Sequence, residues 1–175
     1  DETLERTTGA AGRVTDHRWE DLRNLDAGSW FGTGFGGERI PSLHQALAVL
    51  ARTGLGANVE LKPAVDQDAT TGVITAKTLQ ENWPSSLPKP LLSSFSEKAL
   101  AAAADQAPEF PRAVLVEDVP EDWQVRCDAL GAAGLHADVR HLTEAQARDV
   151  IDAGYTLRVY TVNDQATAER LFAWG

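Results

Sequence analysis

From Ala57 onward the chain alternates short apolar runs with stretches whose apolar residues recur at helical spacing. Five runs, at 57–62, 91–95, 113–116, 135–138 and 157–162, are bounded by glycine, proline or polar residues, which is the pattern of buried strands. Between and after them, helical spacing predicts helices over 70–83, 96–104, 121–130, 143–153 and 165–174. An earlier helix starts at Ser42, a good N-cap, and runs through Leu43, Ala46, Leu47 and Leu50. Thr143 followed by Gln146 predicts a capping box, and Gly154 stands where a helix C-terminus favours a residue tolerant of positive φ. Strands that alternate with helices pair in parallel through right-handed crossovers, so the fold class is α/β.

Two architectures satisfy that pattern, a barrel and a doubly wound sheet. No G-x-G-x-x-G follows any strand, which weakens the dinucleotide-binding version of the second. The last four runs begin at 91, 113, 135 and 157, 22 residues apart, and such regular units favour a barrel. A complete (β/α)8 barrel has eight strands and about 250 residues. Five strands in 175 residues therefore predict a partial barrel, with units missing at both ends and the whole chain forming one domain.

Residues 5–41 differ in kind. The run L-D-A-G-S-W-F-G-T-G-F-G-G packs five glycines around Trp30, Phe31 and Phe35, which no regular helix accommodates. It predicts a structured excursion over the end of the barrel, with the aromatics covering something.

Composition narrows the function classes. A net charge of -10, with no basic stripe to offset it, argues against a nucleic-acid partner and for a small molecule. A phosphate-containing substrate stays compatible, since a divalent cation held by carboxylates reverses the local field. Cys127 is the only cysteine, so neither a disulfide framework nor a thiolate metal cluster is expected, and a reduced cytoplasmic setting fits. No stretch approaches the roughly 20 apolar residues of a membrane span. The sequence sets no oligomeric state.

The chemistry concentrates in Asn58-Val59-Glu60-Leu61-Lys62. In a strand, Glu60 and Lys62 point to one face and Val59 and Leu61 to the other, so a carboxylate and an ammonium share a face near the strand's C-terminal end. That is the end of a barrel where active sites gather. Two readings of the pair carry similar weight: an ion pair at a solvated strand end, or a hard-oxygen ligand for Mg²⁺ or Ca²⁺ beside a point charge for a phosphate oxygen. Ser93 closes a second strand and Asn163 follows a third, where a hydroxyl and an amide can meet substrate oxygens; Asn163 or Asp164 can equally cap the next helix. Of four histidines none forms a zinc motif; His136, on a predicted strand, is the best placed, and a core histidine with a satisfied hydrogen bond is the plainer account of it.

Taken together, D-E-T-L-E-R-T-T-G at 1–9, L-D-A-G-S-W-F at 25–31, I-P-S-L at 40–43, N-V-E-L-K-P at 58–63, L-L-S-S-F at 91–95 and V-Y-T-V-N at 159–163 resemble the bacterial glycerophosphodiester phosphodiesterases of the cytoplasmic type. The resemblance implies a (β/α)8 TIM barrel with a small insertion after the third strand, here 5–41, whose Trp30 and Phe31 would help enclose glycerol. It implies cleavage of glycerophosphodiesters to sn-glycerol 3-phosphate and an alcohol, with one divalent cation and two histidines as general acid and base. Glu60 would be a metal ligand, Lys62 a phosphate contact, and Ser93 and Asn163 substrate contacts. The family's H-R-G motif, its E-x-D carboxylates and its second histidine all fall upstream of Asp1. No catalytic residue is therefore expected within these 175 residues, which alone would be inert. The competing reading is a catalytically inactive barrel acting as a binding or regulatory module.

Overall fold

Side-chain caps set the helix starts in the computed structural model, which describes residues 2–175. Ser42 and Gln45 close one capping box ahead of a helix over Leu43–Thr53, and Thr143 and Gln146 close the expected one ahead of Glu144–Asp152. Ser96 Oγ accepts from Ala99 N at 3.1 Å, and Asp164 accepts from Thr167 N at 2.8 Å. Gly154 takes φ +86°, as its place after a helix requires.

The described residues fall into two units, one through Leu55 with Pro84–Leu87, the other comprising Gly56–Trp83 and Pro88–Gly175. The first carries short helices α1 (Glu5–Thr8) and α2 (Trp19–Leu22) and the longer α3 (Leu43–Thr53). Its glycine-rich loop is organised by Asp26. One carboxylate oxygen accepts from Gly28 N and Ser29 N, both at 2.9 Å, and the other from Ser29 Oγ and Gly37 N, both at 2.8 Å. These donors hold the Asp26 carboxyl well below the usual carboxylate range, the Ser29 amide contributing most. A Cβ on Gly28 would sit 2.0 Å from the Phe35 carbonyl oxygen, so the loop closes only with glycine there.

The second unit alternates β1 (Asn58–Glu60), α4 (Asp68–Asn82), β2 (Leu91–Ser94), α5 (Glu97–Gln106), β3 (Arg112–Val116), α6 (Trp123–Ala129), β4 (Gly134–Asp138), α7 (Glu144–Asp152), β5 (Thr156–Tyr160) and α8 (Gln165–Ala173). Its five strands lie parallel in chain order, as the α/β pattern predicts. Leu92, Val114, Leu135 and Ala137 form the buried layer of the sheet; Ala76, Leu79, Ala99, Leu100, Ala103, Cys127, Ala147 and Val150 are the buried positions of the helices. Helices α4 and α5 meet at Gly72, where an added Cβ would stand 2.3 Å from the Ala99 carbonyl oxygen.

Three strands end earlier than the apolar runs predict. β1 stops at Glu60, leaving Lys62 beyond the strand, because Pro63 has no N–H to continue the ladder and restricts the residue before it. β2 stops at Ser94, and β5 at Tyr160, whose carbonyl takes the last rung from Val139 N at 2.6 Å. The helix expected at 121–130 shortens to Trp123–Ala129, since Leu130 serves as its C-cap.

At the foot of β3, Arg112 reaches four backbone carbonyls. It donates to Phe110 O at 2.8 Å, Leu130 O and Gly131 O at 3.2 Å, and Pro108 O at 3.3 Å. The guanidinium ties the end of α6 to the turn after α5, and burial pulls its pKa below the ordinary value.

Candidate active site at the C-terminal end of the sheet

Strand parity selects one face. Glu60 lies opposite Ser93, Ser93 opposite Ala113, and Ala113 opposite Gly134; two residues further along, Leu115 lies opposite His136 and His136 opposite Arg158; Asp138 lies opposite Tyr160 above them. Since side chains alternate across a strand, Glu60, Ser93, His136, Asp138 and Tyr160 share that face. The sheet also curls. Between β2 and β5 lie three strand spacings, about 14 Å in a flat sheet. Yet the rings of Phe95, just past β2, and Tyr160, ending β5, stand 6.1 Å apart in an edge-to-face pair. The Tyr160 hydroxyl donates across β4 to the Val116 carbonyl at 2.9 Å.

Glu60 and Lys62 are brought together, with Nζ 3.9 Å from Oε1 and both side chains over a third exposed. The geometry is that of a loose, solvated pair, weak as a stabilising bridge. Ser93 is fully buried opposite Glu60, and its Oγ has no hydrogen-bond partner among the described residues. The neighbouring Ser94 is spent on structure, its hydroxyl donating to Leu61 O at 2.6 Å and accepting from Ser96 N at 3.0 Å. Asn163 is exposed beyond β5, on the opposite sheet edge from Glu60, and Asp164 takes the helix cap.

Trp30 and Phe31 belong to the first unit. Trp30, Phe31 and Phe35 are 51%, 68% and 49% exposed and pack on one another, with centroids 5.7 Å and 5.0 Å apart. The Arg6 guanidinium lies 5.1 Å over the indole, whose N–H donates to Ala27 O at 2.9 Å. An Asp26-braced loop can hold aromatics out without burying them, because backbone N–H donors rather than apolar contacts fix its shape.

His136 is buried, but its Nε2 has no partner among the described residues, contrary to the satisfied hydrogen bond expected. Burial first, and Arg158 second, push its pKa down to about 4, so it is neutral at pH 7. Burial likewise drives the Cys127 thiol up to about 11, which makes it a poor nucleophile. Sequence reading missed the rim after β3 and β4. There Arg140 Nε donates to both oxygens of buried Asp138 at 3.0 Å, holding that carboxyl at about 2, and His141 Nδ1 lies 2.9 Å from Asp118 Oδ1. The parity of Asp138 and Tyr160 with Glu60 was the signal available.

A parallel, curled βα sheet with a carboxylate and an ammonium at its C-terminal mouth has the architecture of a (β/α) barrel, whose active sites gather at that end. The chain belongs to the glycerophosphoryl diester phosphodiesterase family, whose model it matches over residues 1–175. A glycerophosphodiester phosphodiesterase of Bacillus subtilis is 30% identical over 196 residues, covering all of this chain and 64% of the relative's own length. One from Caldanaerobacter subterraneus subsp. tengcongensis is 26% identical, again over the whole chain and 71% of its own. Among solved structures, an Oleispira antarctica phosphodiesterase in complex with the product sn-glycerol-3-phosphate is 36% identical, with a TM-score of 0.95 over all of this chain and 70% of that one. The five strands are thus a parallel half-barrel, consistent with part of a TIM barrel of this family's type.

Proposed function

We propose that the intact protein hydrolyses glycerophosphodiesters to sn-glycerol 3-phosphate and an alcohol. The observation that carries this is the Glu60–Lys62 pair at the C-terminal mouth of a parallel sheet, in a chain matched to the phosphodiesterase family along its whole length. The product-bound Oleispira neighbour supports the same substrate class.

On this reading Glu60 offers a hard oxygen donor to one divalent cation, Mg²⁺ or Ca²⁺. The fit is partial: Glu60 is accessible and of the right type, and among the described residues no three His, Cys, Asp or Glu side chains converge on an ion. Bound there, such a cation supplies Lewis-acid polarisation of the phosphoryl oxygens. Lys62 orients and partly neutralises the phosphate, Ser93 and Asn163 meet substrate oxygens, and Trp30 and Phe31 form an apolar wall for glycerol. No general acid or base is assigned among residues 1–175, with 5–41 as the insertion and the cytoplasm as the setting.

The test is release of glycerol 3-phosphate from glycerophosphocholine by the full-length protein, with and without chelator, beside its Glu60→Gln form. Chelator should abolish turnover, and Glu60→Gln should weaken metal activation and rate together; the 175-residue chain alone should release none. Unchanged metal dependence in Glu60→Gln would make Glu60 structural. Turnover by the 175-residue chain would overturn the assignment of acid and base.

A further inference from the structure

Among the described residues two buried side-chain polar atoms lack a hydrogen-bond partner, Ser93 Oγ and His136 Nε2. Buried polar groups in folded proteins are nearly always paired, so an orphan asks for a partner. The two differ in what stands beside them. His136 lies between Leu115 and Arg158 in the register, and Arg158 turns Nη1 to Thr156 Oγ1 at 3.4 Å, so no carboxylate adjoins the imidazole there. Ser93, fully buried, lies opposite Glu60 on the same inner face of the sheet. A carboxylate is a natural acceptor for a hydroxyl proton. Neighbouring strands stand about 4.8 Å apart, a gap that the Glu60 side chain spans with a change of rotamer.

The backbone keeps the two residues together. Leu61 N donates to Ser93 O at 2.7 Å, and the Leu61 carbonyl accepts from Ser94 Oγ at 2.6 Å, so the chain just after Glu60 is pinned to both serines. The Glu60 carboxylate itself is loosely held: its Oε1 stands 3.9 Å from Lys62 Nζ, beyond hydrogen-bond distance. A carboxylate that ligates a cation is in turn directed by a hydrogen bond from behind it. We infer that Ser93 is a positioning residue for Glu60, its hydroxyl donating to the carboxylate when Glu60 leaves Lys62 to hold a divalent cation. Lys62 is then left to the phosphate. The hydroxyl has one proton and two lone pairs, so the lone pairs stay available to a substrate O–H. The inference rests on the proposed hydrolysis and deepens it by giving the Glu60 carboxylate a fixed direction.

The test is calorimetric binding of Mg²⁺ and Ca²⁺ to the full-length protein without substrate, with thermal melts in chelator, for the unaltered, Ser93→Ala and Glu60→Gln forms. Ser93→Ala should weaken cation binding by about 10-fold, as loss of a hydrogen bond behind a metal ligand does. Its Tm in chelator should hold or rise, because the hydroxyl removed is buried and unpaired there. Glu60→Gln should weaken binding at least as far. If Glu60→Gln weakened binding while Ser93→Ala stayed within about 2-fold of the unaltered protein, the inference would be overturned and the proposed role of Glu60 would stand. Weakening by Ser93→Ala alone would also overturn it, since Ser93 would then act through something other than Glu60. A Ser93→Ala form that melted lower in chelator, or failed to fold, would make the hydroxyl structural and sink the idea. No effect of either substitution, or no cation binding by the unaltered protein, would remove the metal role of Glu60 and the inference with it.

Discussion

Gly72→Ala is a substitution whose sign depends entirely on what faces the helix. On an exposed helix surface, exchanging glycine for alanine gains about 1 kcal/mol by restricting the unfolded backbone. At Gly72 the new Cβ would stand 2.3 Å from the Ala99 carbonyl oxygen, 3.1 Å from its carbon and 3.2 Å from the Ala102 Cβ, where ordinary contact starts at 3.4 Å. The obstacle is backbone, so no rotamer relieves it, and α4 must back away from α5 by about 1 Å. Overpacking of this kind costs about 1–3 kcal/mol, and a rigid backbone obstacle belongs at the upper end. The retreat also stretches the contact of Ser96 Oγ with Asp68 Oδ1, at 2.5 Å, which ties the start of α5 to α4. The net expectation is a loss of about 2 kcal/mol, a fall in Tm of about 4–8 °C for a chain of this size. Ser96 immediately follows Phe95, so the displacement should reach the mouth of the sheet as well. Thermal melts of the full-length protein beside Thr70→Ala, an exposed control on the same helix, read the effect directly. A Tm that rises in both variants would show that α4 and α5 do not meet closely at Gly72.

Three further outcomes are expected. Arg112→Met keeps the aliphatic stem but removes the donor shared by four carbonyls, and should destabilise by about 3 kcal/mol in denaturant titration; a loss under about 0.5 kcal/mol would mean water replaces the guanidinium without cost. Trp30→Ala should raise KM for glycerophosphodiesters with little change in Tm, because the indole is half exposed; a large drop in Tm at unchanged KM would make it an anchor. His136 binds its proton less readily folded, at about 4, than at its ordinary 6.5, so the unfolded chain takes up more protons between those values. Stability should be full above pH 6.5 and decline as pH falls towards 4, and His136→Gln should flatten that slope in unfolding free energies measured at pH 7 and pH 5.

The helical and strand periods made the α/β alternation readable, because a buried parallel sheet demands apolar residues wherever the chain passes through it. Glu60 stood out for the same reason, as a charge inside such a run. Asp138 carried the same signal and was overlooked, since Leu135, His136 and Ala137 around it read as an ordinary core segment. Arg112 was invisible for a different reason. Its partners are carbonyls of the turns at 108–110 and 130–131, and no side-chain pattern announces a carbonyl cluster. In the glycine-rich loop the D-A-G-S turn at Asp26 was a local hydrogen-bonding signal, while the aromatic cluster was legible without the face each ring presents. Nothing in periodicity distinguishes a ring held out from a ring tucked in.

The match between sheet order and chain order has a consequence for synthesis. Each strand of the second unit from β2 to β5 hydrogen-bonds to the strand made just before it, so each βα increment docks on an edge that already exists. Joining such neighbours closes loops of a few tens of residues, whose entropic cost grows only slowly with length. The sheet can therefore grow on the ribosome by accretion, one stave at a time, without waiting for a distant partner. What accretion leaves at each stage is a live edge.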